Sequence, residues 1–222
     1  MTAAGPAPMG RRERSKQRVR DGLYTSALSL FAEQGYEGTT IDQIAERADV
    51  ARGTFFNYFQ RKEDIVLAWA DKRRKRLVAA MEQIPQGPHD DVTVLLERCM
   101  SILADFNESE RDVVPAILTA WVKSGRPIFE EPYTAEIFAD IIEAGRKRGD
   151  VAPDVDPARV GNILRDAYLG HLYRWSQAPE AHPPLRMELR EIVRIILAGS
   201  LSYARRGWTA PGTDASRAVP RS

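Results

Sequence analysis

Arg52, Gly53, Thr54, Asn57 and Tyr58 lie together in the segment ARGTFFNYF, residues 51–59. A guanidinium offers two parallel donors that match a guanine edge, a carboxamide matches adenine, and hydroxyls reach phosphates or sit beside a thymine methyl. Gly53 leaves the backbone bare, which permits close approach of another molecule. Catalytic chemistry finds less support. Only three histidines exist, His89, His171 and His182, and two of them fall in Pro-rich breaks. No Gly-rich phosphate loop, Cys/His metal spacing or nucleophile elbow occurs. The acidic pair Glu130-Glu131 reads as solvated charge. Neither an enzyme nor a cofactor or metal requirement is expected.

Polar residues of this kind are useful only on a helix that leaves its own core, and the flanking sequence provides one. In GTTIDQIAERADVARGTFFNYFQRKED (38–64), Thr40 precedes Ile41, Ile44, Ala45 and Ala48, an i, i+3, i+4, i+7 face. A second helix is expected from about Arg52 to Phe59. The connection needs one residue able to take left-handed angles, and Asp49 holds that place; Asp is among the few non-Gly residues that tolerate it. Ala45 lets the two helices approach closely, and Val50 and Phe55 plug the space between them. One helix face cannot bury Phe55, Phe56, Tyr58 and Phe59 together, so Phe55 and Phe59 are assigned to the core. This is a helix-turn-helix, in which the first helix braces on the backbone and the second enters the major groove. Lys62, opening the next helix, places its charge where a phosphate would be favoured, and Thr40 is similarly placed.

No segment shows strand alternation, and helical spacing recurs along the chain. Besides the two above, helices are expected at about 14–34, 62–84, 90–106, 110–124, 132–148, 157–177 and 185–206. Gly35 stops the first of these. Pro85, Gly87 and Pro88, then Gly125 with Pro127, Gly149 with Pro153, and APEAHPP (178–184) mark the other breaks. Asp156-Pro157 is a start signal, with Asp as N-cap and Pro at the first helical position. The implied organisation is a disordered tail over 1–13, a DNA-binding domain over 14–61, a connecting helix over 62–84, a helical body over 85–207 and a disordered tail over 208–222. A start at Met9 would leave that fold intact. The last two helices are the most apolar. Their faces either associate with a second copy or close the core of a single one, and periodicity alone leaves both open.

With 43% hydrophobic and 28% charged residues the chain can build a core, and its net charge of +1 indicates no partner. The distribution is more telling. Residues 1–84 hold 15 Lys/Arg against 11 Asp/Glu, a surplus of four, and RRERSKQRVR (11–20) carries six basic side chains against Glu13. A basic first part fits a nucleic-acid partner for that part alone. Cys99 is the only cysteine, so no internal disulfide forms and a reducing cytoplasm is the expected setting. MTAAGPAPMG lacks the apolar region of a secretory signal, and no stretch approaches the roughly 20 apolar residues of a bilayer span, so no membrane partner is expected.

TTIDQIAERADVARGTFFNYFQRKEDI, with the preceding LFAEQGYEGTT, resembles the signature of TetR-family transcriptional repressors; the specific match covers residues 20–66. The resemblance implies an all-α homodimer of about nine helices. Three N-terminal helices bind a double-stranded DNA operator, the fourth links them to a helical ligand-binding and dimerisation domain, and the last two form a four-helix interface. By position, Thr40, Arg52, Gly53, Thr54, Asn57, Tyr58 and Lys62 fall where the family contacts DNA. Thr40, Tyr58 and Lys62 would touch phosphates; Arg52, Thr54 and Asn57 would meet base edges. The arm Arg11–Arg20 is longer than the family minimum. Leu164, His171, Ile192, Ile196, Gly199 and Tyr203 are the expected interface residues. Family members take an effector into the body, which tilts the fourth helix and spreads the recognition helices. Cys99, Leu103, Phe106, Ile117, Trp121, Phe138, Tyr168 and Trp175 are the expected pocket, for a small hydrophobic or aromatic effector. His171 also reads as a packed histidine, and Cys99 as a small buried hydrophobe.

Overall fold

The computed structural model describes residues 10–83, 87, 90–123, 133–178, 180 and 182–204, and the side chains of all of these except Tyr133 and 199–204. Within the described residues run nine helices and no strand: α1 (Arg11–Gly38), α2 (Ile41–Arg47), α3 (Arg52–Phe55), α4 (Glu63–Glu82), α5 (Val92–Ser109), α6 (Val114–Lys123), α7 (Tyr133–Arg148), α8 (Pro157–Gln177) and α9 (Leu185–Ala204). The all-α expectation holds. Of the expected tails over 1–13 and 208–222, residues 1–9 and 208–222 lie outside the described residues, as do the breaks at Pro85, Pro88, Gly125 and Pro127, whereas residues 11–13 are helical.

α1 begins at Arg11, three residues earlier than expected. Nothing between Gly10 and Asp21 breaks a helix, Glu13 complements the positive end, and the Arg14 amide already donates to the Gly10 carbonyl (3.0 Å). At Gly35 the backbone leaves helical angles (φ 77°, ψ 165°), so the helix proper ends where glycine was expected to stop it. Leu23, Ala27, Leu30 and Phe31 form the buried stripe of α1 and belong to the same core cluster as Ile44, Phe55, Phe59 and Ile65. Burial of each of these large side chains is worth roughly 1.5–3 kcal/mol relative to exposure. Asp156 caps α8 through its carboxylate, which accepts from the amides of Ala158 and Arg159 (3.0 and 3.3 Å).

In the body, α5 packs on α9 and α7, while α8 packs on α7 and α9. The α7–α8 crossing is closest at Gly161. A Cβ there would lie 2.4 Å from the Ala135 carbonyl oxygen and 3.0 Å from the Ala139 amide nitrogen. Two elements join the body to the N-terminal helices. α4 continues directly into the body, and α6 packs on α1, where Lys123 reaches Glu37 (3.0 Å).

Candidate nucleic-acid interface and effector cavity

The turn between α2 and α3 is a Schellman closure. Asp49 adopts φ 52°, the one positive φ among described non-Gly residues. The Val50 amide donates to the Ala45 carbonyl and the Asp49 amide to that of Glu46, both at 3.0 Å. α2 opens with a capping box: the Thr40 hydroxyl accepts from the Gln43 amide while the Gln43 carboxamide oxygen accepts from the Thr40 amide. Arg47 clamps Glu33 of α1 with two bonds of 2.5 and 2.7 Å, holding the bracing helix in place.

α3 itself is shorter than the expected 52–59. α-Helix ends at Phe55, and the chain continues in tight turns, with the amides of Asn57 and Tyr58 donating three residues back (3.2 and 2.9 Å). Gly53, Thr54 and Asn57 are poor helix formers, so a segment rich in potential contact residues closes as short turns. Its side chains divide as the crowding argument requires. Phe55 and Phe59 are buried, Phe56 is 45% exposed, and Tyr58 is half-buried. Arg52, Gly53 and Asn57 are exposed, Thr54 is half-buried, and Arg52 lies 3.3 Å from the equally exposed Asp42. An exposed pair of this kind contributes little stability and yields readily to a competing acceptor. Thr40 is exposed at the neighbouring helix end, though its hydroxyl and amide already serve the cap.

Lys62, expected to meet a phosphate, rests here on backbone carbonyls. Its ammonium donates to the carbonyls of Tyr36 (2.7 Å) and Thr39 (3.0 Å) and lies 4.2 Å from the centre of the Tyr36 ring. The chain after Gly35 leaves carbonyls without helical partners, and a lysine opening α4 satisfies them.

Behind this unit, a cavity of about 450 Å³ opens between α4, α6, α7 and α8. Of the expected pocket residues, Leu103, Trp121 and Tyr168 line it. The other five do not, because helical faces shared with the core take them first. Cys99, Ile117 and Phe138 are fully buried, Trp175 is buried, and Phe106 lies under Arg76 (4.2 Å from ring centre to guanidinium). Burial pushes the Cys99 thiol up to about 12, so the side chain behaves as a small hydrophobe.

The sequence reading missed the wall supplied by α4, which includes Trp69, Arg73, Arg74 and Leu77. The signal existed. Ile65, Trp69, Arg73 and Leu77 recur every fourth residue, placing an arginine within an apolar stripe, and all four are buried. Arg73 is held by Glu110 (3.0 Å) and the Asn107 carboxamide oxygen (2.8 Å). Glu110 also accepts from the Trp69 indole (2.9 Å) and from Arg76 (2.6 Å). Asn107 in turn donates to the Leu103 carbonyl (2.6 Å) and the Tyr168 hydroxyl (2.9 Å). One buried polar network thus ties α4 to α5 and α8 along the cavity wall.

The residues expected at a self-association face are mostly turned inward within the single chain. Leu164 and Ile192 are buried and Ile196 is half-buried against the core, so they close the protomer itself. His171 is half-buried, with Nδ1 donating to the Ala167 carbonyl (2.9 Å) and Nε2 3.8 Å from Glu188. The side chains of Gly199 and Tyr203 lie outside the described residues. One residue along a helix rotates the side chain by about 100°. The adjacent Ile163 and Ile195 accordingly point outward, and with Tyr173 on α8 and Met187 on α9 they are 42–64% exposed.

Comparison with known proteins bears on both halves. Residues 23–69 match the description "Bacterial regulatory proteins, tetR family", and residues 73–199 match "TetR/AcrR family transcriptional repressors, C-terminal domain". The HTH-type transcriptional regulator TcmR of Streptomyces glaucescens is 42% identical over 86 residues, 39% of this chain and 38% of that protein. The HTH-type transcriptional repressor KstR of Rhodococcus jostii is 26% identical over 181 residues, covering 80% and 82% of the two chains. Among solved structures, Thermus thermophilus FadR in complex with lauroyl-CoA superposes with a TM-score of 0.64 at 26% identity, over 87% of this chain and 99% of that one.

Proposed function

The chain belongs to the TetR family of bacterial regulatory proteins, a DNA-binding transcriptional repressor and not an enzyme, and from that premise we propose that it binds a palindromic operator as a homodimer and leaves it when an effector fills the cavity. The observation that carries this reading is that α4 both continues from the DNA-reading unit and forms a wall of the 450 Å³ cavity. A ligand that moves α4 therefore moves α2 and α3 with it, and α6, which contributes Leu118 and Trp121 to the cavity and packs on α1, offers a second route. The ligand must prefer the DNA-incompetent arrangement; each tenfold of preference corresponds to about 1.4 kcal/mol. The lauroyl-CoA held by the Thermus FadR, a relative of similar fold, supports a ligand site in the body.

Arg52, Thr54 and Asn57 are assigned to base edges, Thr40 and Tyr58 to phosphates, and Gly53 to close backbone approach. The setting is the cytoplasm, where the DNA is; no helix among the described residues is long and apolar enough to cross a membrane. Selection of bound sequences from a random DNA pool tests the reading: two inverted half-sites should emerge. Recovery of no preferred sequence would overturn it. On the selected operator, Arg52→Ala should weaken binding by about 1–3 kcal/mol and relax discrimination at particular base pairs. An equal loss on every sequence would reassign Arg52 to phosphate.

Ile163 and Tyr173 on α8 and Met187 and Ile195 on α9 are large apolar side chains left exposed on two neighbouring helices, which supports the homodimer, since a second copy would cover them. Ile195→Asp should give monomers by light scattering while circular dichroism stays helical. A dimer that survives the change would move the interface off this face.

A further inference from the structure

The cavity wall carries more charge than a purely hydrophobic effector would require. Three arginines, Arg73, Arg74 and Arg165, line it against a single carboxylate, Asp71. Each arginine has a carboxylate neighbour, but the pairings are unequal. Arg73 is locked by Glu110 and Asn107 and belongs to the network that braces α4. Arg74 shares Asp71 with Lys75, which lies closer to it (3.1 against 2.7 Å). Among the described residues Arg165 pairs only with its chain neighbour Asp166, and both bonds end on one oxygen, Oδ1 (3.0 and 2.7 Å). Its side chain is 15% exposed whereas that of Asp166 is 66% exposed. A guanidinium largely withdrawn from water, facing a well-solvated carboxylate, is poorly compensated, and a second anion inside the cavity would complete it. Most of the remaining wall, including Leu77, Leu118, Trp121 and Leu172, is apolar, with Thr134 and Tyr168 the exceptions.

Resting on the effector reading above, we infer that the ligand class is an amphipathic anion: an apolar chain or ring system seated among those side chains, with a carboxylate or phosphate head against Arg165 and Arg74. Fork-shaped guanidinium donors suit either head, and charge-assisted bonds of this kind are the strong ones. The cavity volume lies within the roughly 300–1,000 Å³ of small-molecule sites.

Four probes of equal chain length test this on the full chain, below their micelle concentrations: dodecanoate, dodecyl phosphate, dodecan-1-ol and dodecyltrimethylammonium. Trp69 and Trp121 line the cavity and report binding by fluorescence; release of the selected operator is followed in parallel by anisotropy. At least one anion should bind about tenfold or more tightly than the alcohol, with the ammonium weakest. Arg165→Met and Arg74→Met, made separately, should reduce that anion to the level of the alcohol and leave the alcohol within about twofold of its wild-type affinity. The two anions distinguish a carboxylate from a phosphate head. Equal binding of alcohol and anions, or an ammonium preference, overturns the inference while operator release still supports an effector. An anion advantage that survives in both variants overturns it as well, because the head then lies elsewhere. Anion binding that leaves the operator occupied upholds the ligand class and defeats the effector reading. Binding by none of the four defeats both.

Discussion

Glu110→Ala is expected to lower folding stability by about 3 kcal/mol. Glu110 receives Arg73, Arg76 and the Trp69 indole, and the Arg73 side chain is only 8% exposed. Removing the carboxylate strands a guanidinium that cannot lose its proton and keeps the hydrogen bond to the Asn107 carboxamide. Breaking a buried pair from one side typically costs about 3–5 kcal/mol. The lower end applies here, because Glu110 is partly exposed and Arg76 can return to water. For a chain of this length the melting temperature should fall by roughly 6–12 °C. The double change Arg73→Met with Glu110→Ala should recover much of the loss, since the charge that suffers is then gone. A single-variant loss under about 1 kcal/mol would show that the network contributes little to holding α4 against α5.

Gly161→Ala is expected to destabilise by a similar amount, about 3 kcal/mol, from a single added carbon. The new Cβ would meet a backbone oxygen at 2.4 Å and a backbone nitrogen at 3.0 Å, and neither can rotate aside as a side chain would. Ordinary C···O contacts are about 3.3–3.6 Å, so α7 must retreat from α8 by roughly 1 Å. That movement would disturb Phe138, Ile142 and Leu164, all buried beside the crossing. Gly22→Ala is the control: nothing lies within 4 Å of its Cβ position, mid-helix in α1. There alanine should be neutral or gain up to about 1 kcal/mol from propensity. Urea unfolding checks both, through the midpoint at unchanged slope. Equal behaviour of the two variants would contradict the close α7–α8 approach.

These effects rest on Glu110 and Gly161, on which the sequence was silent, whereas much of the DNA-reading unit was legible, although its second helix ends at Phe55 and not Phe59. Local rules govern it. Asp49 takes the left-handed turn because few other residues tolerate it, Thr40 and Gln43 form a capping box at a spacing of three, and Phe55 and Phe59 take the one face available to aromatic rings. The resting place of the Lys62 ammonium was not legible there. Its target carbonyls at Tyr36 and Thr39 lie more than twenty residues away in the chain, and no local pattern announces them.

The cavity and the outward face were read less well, for a common reason. Helical periodicity tells which residues share a face and leaves open what that face meets. Phe138, Ile117 and Trp175 share the apolar character of Trp121, yet they fill the core while Trp121 borders empty space. Leu164 and Ile163, or Ile192 and Ile195, are equally apolar, and only the direction of packing against α5 and α7 separates core from surface.

By itself the sequence determined the helical fold, the helix-turn-helix and the exposure of Arg52 and Asn57, because turns, caps and amphipathic stripes are set by neighbours within a few residues. Only the tertiary structure decided that Arg73 is buried with Glu110, that Gly161 is a contact point between helices, and that Arg165 borders the cavity. Those properties arise between segments more than about twenty residues apart, where side-chain chemistry is fixed by the partner that packing brings near.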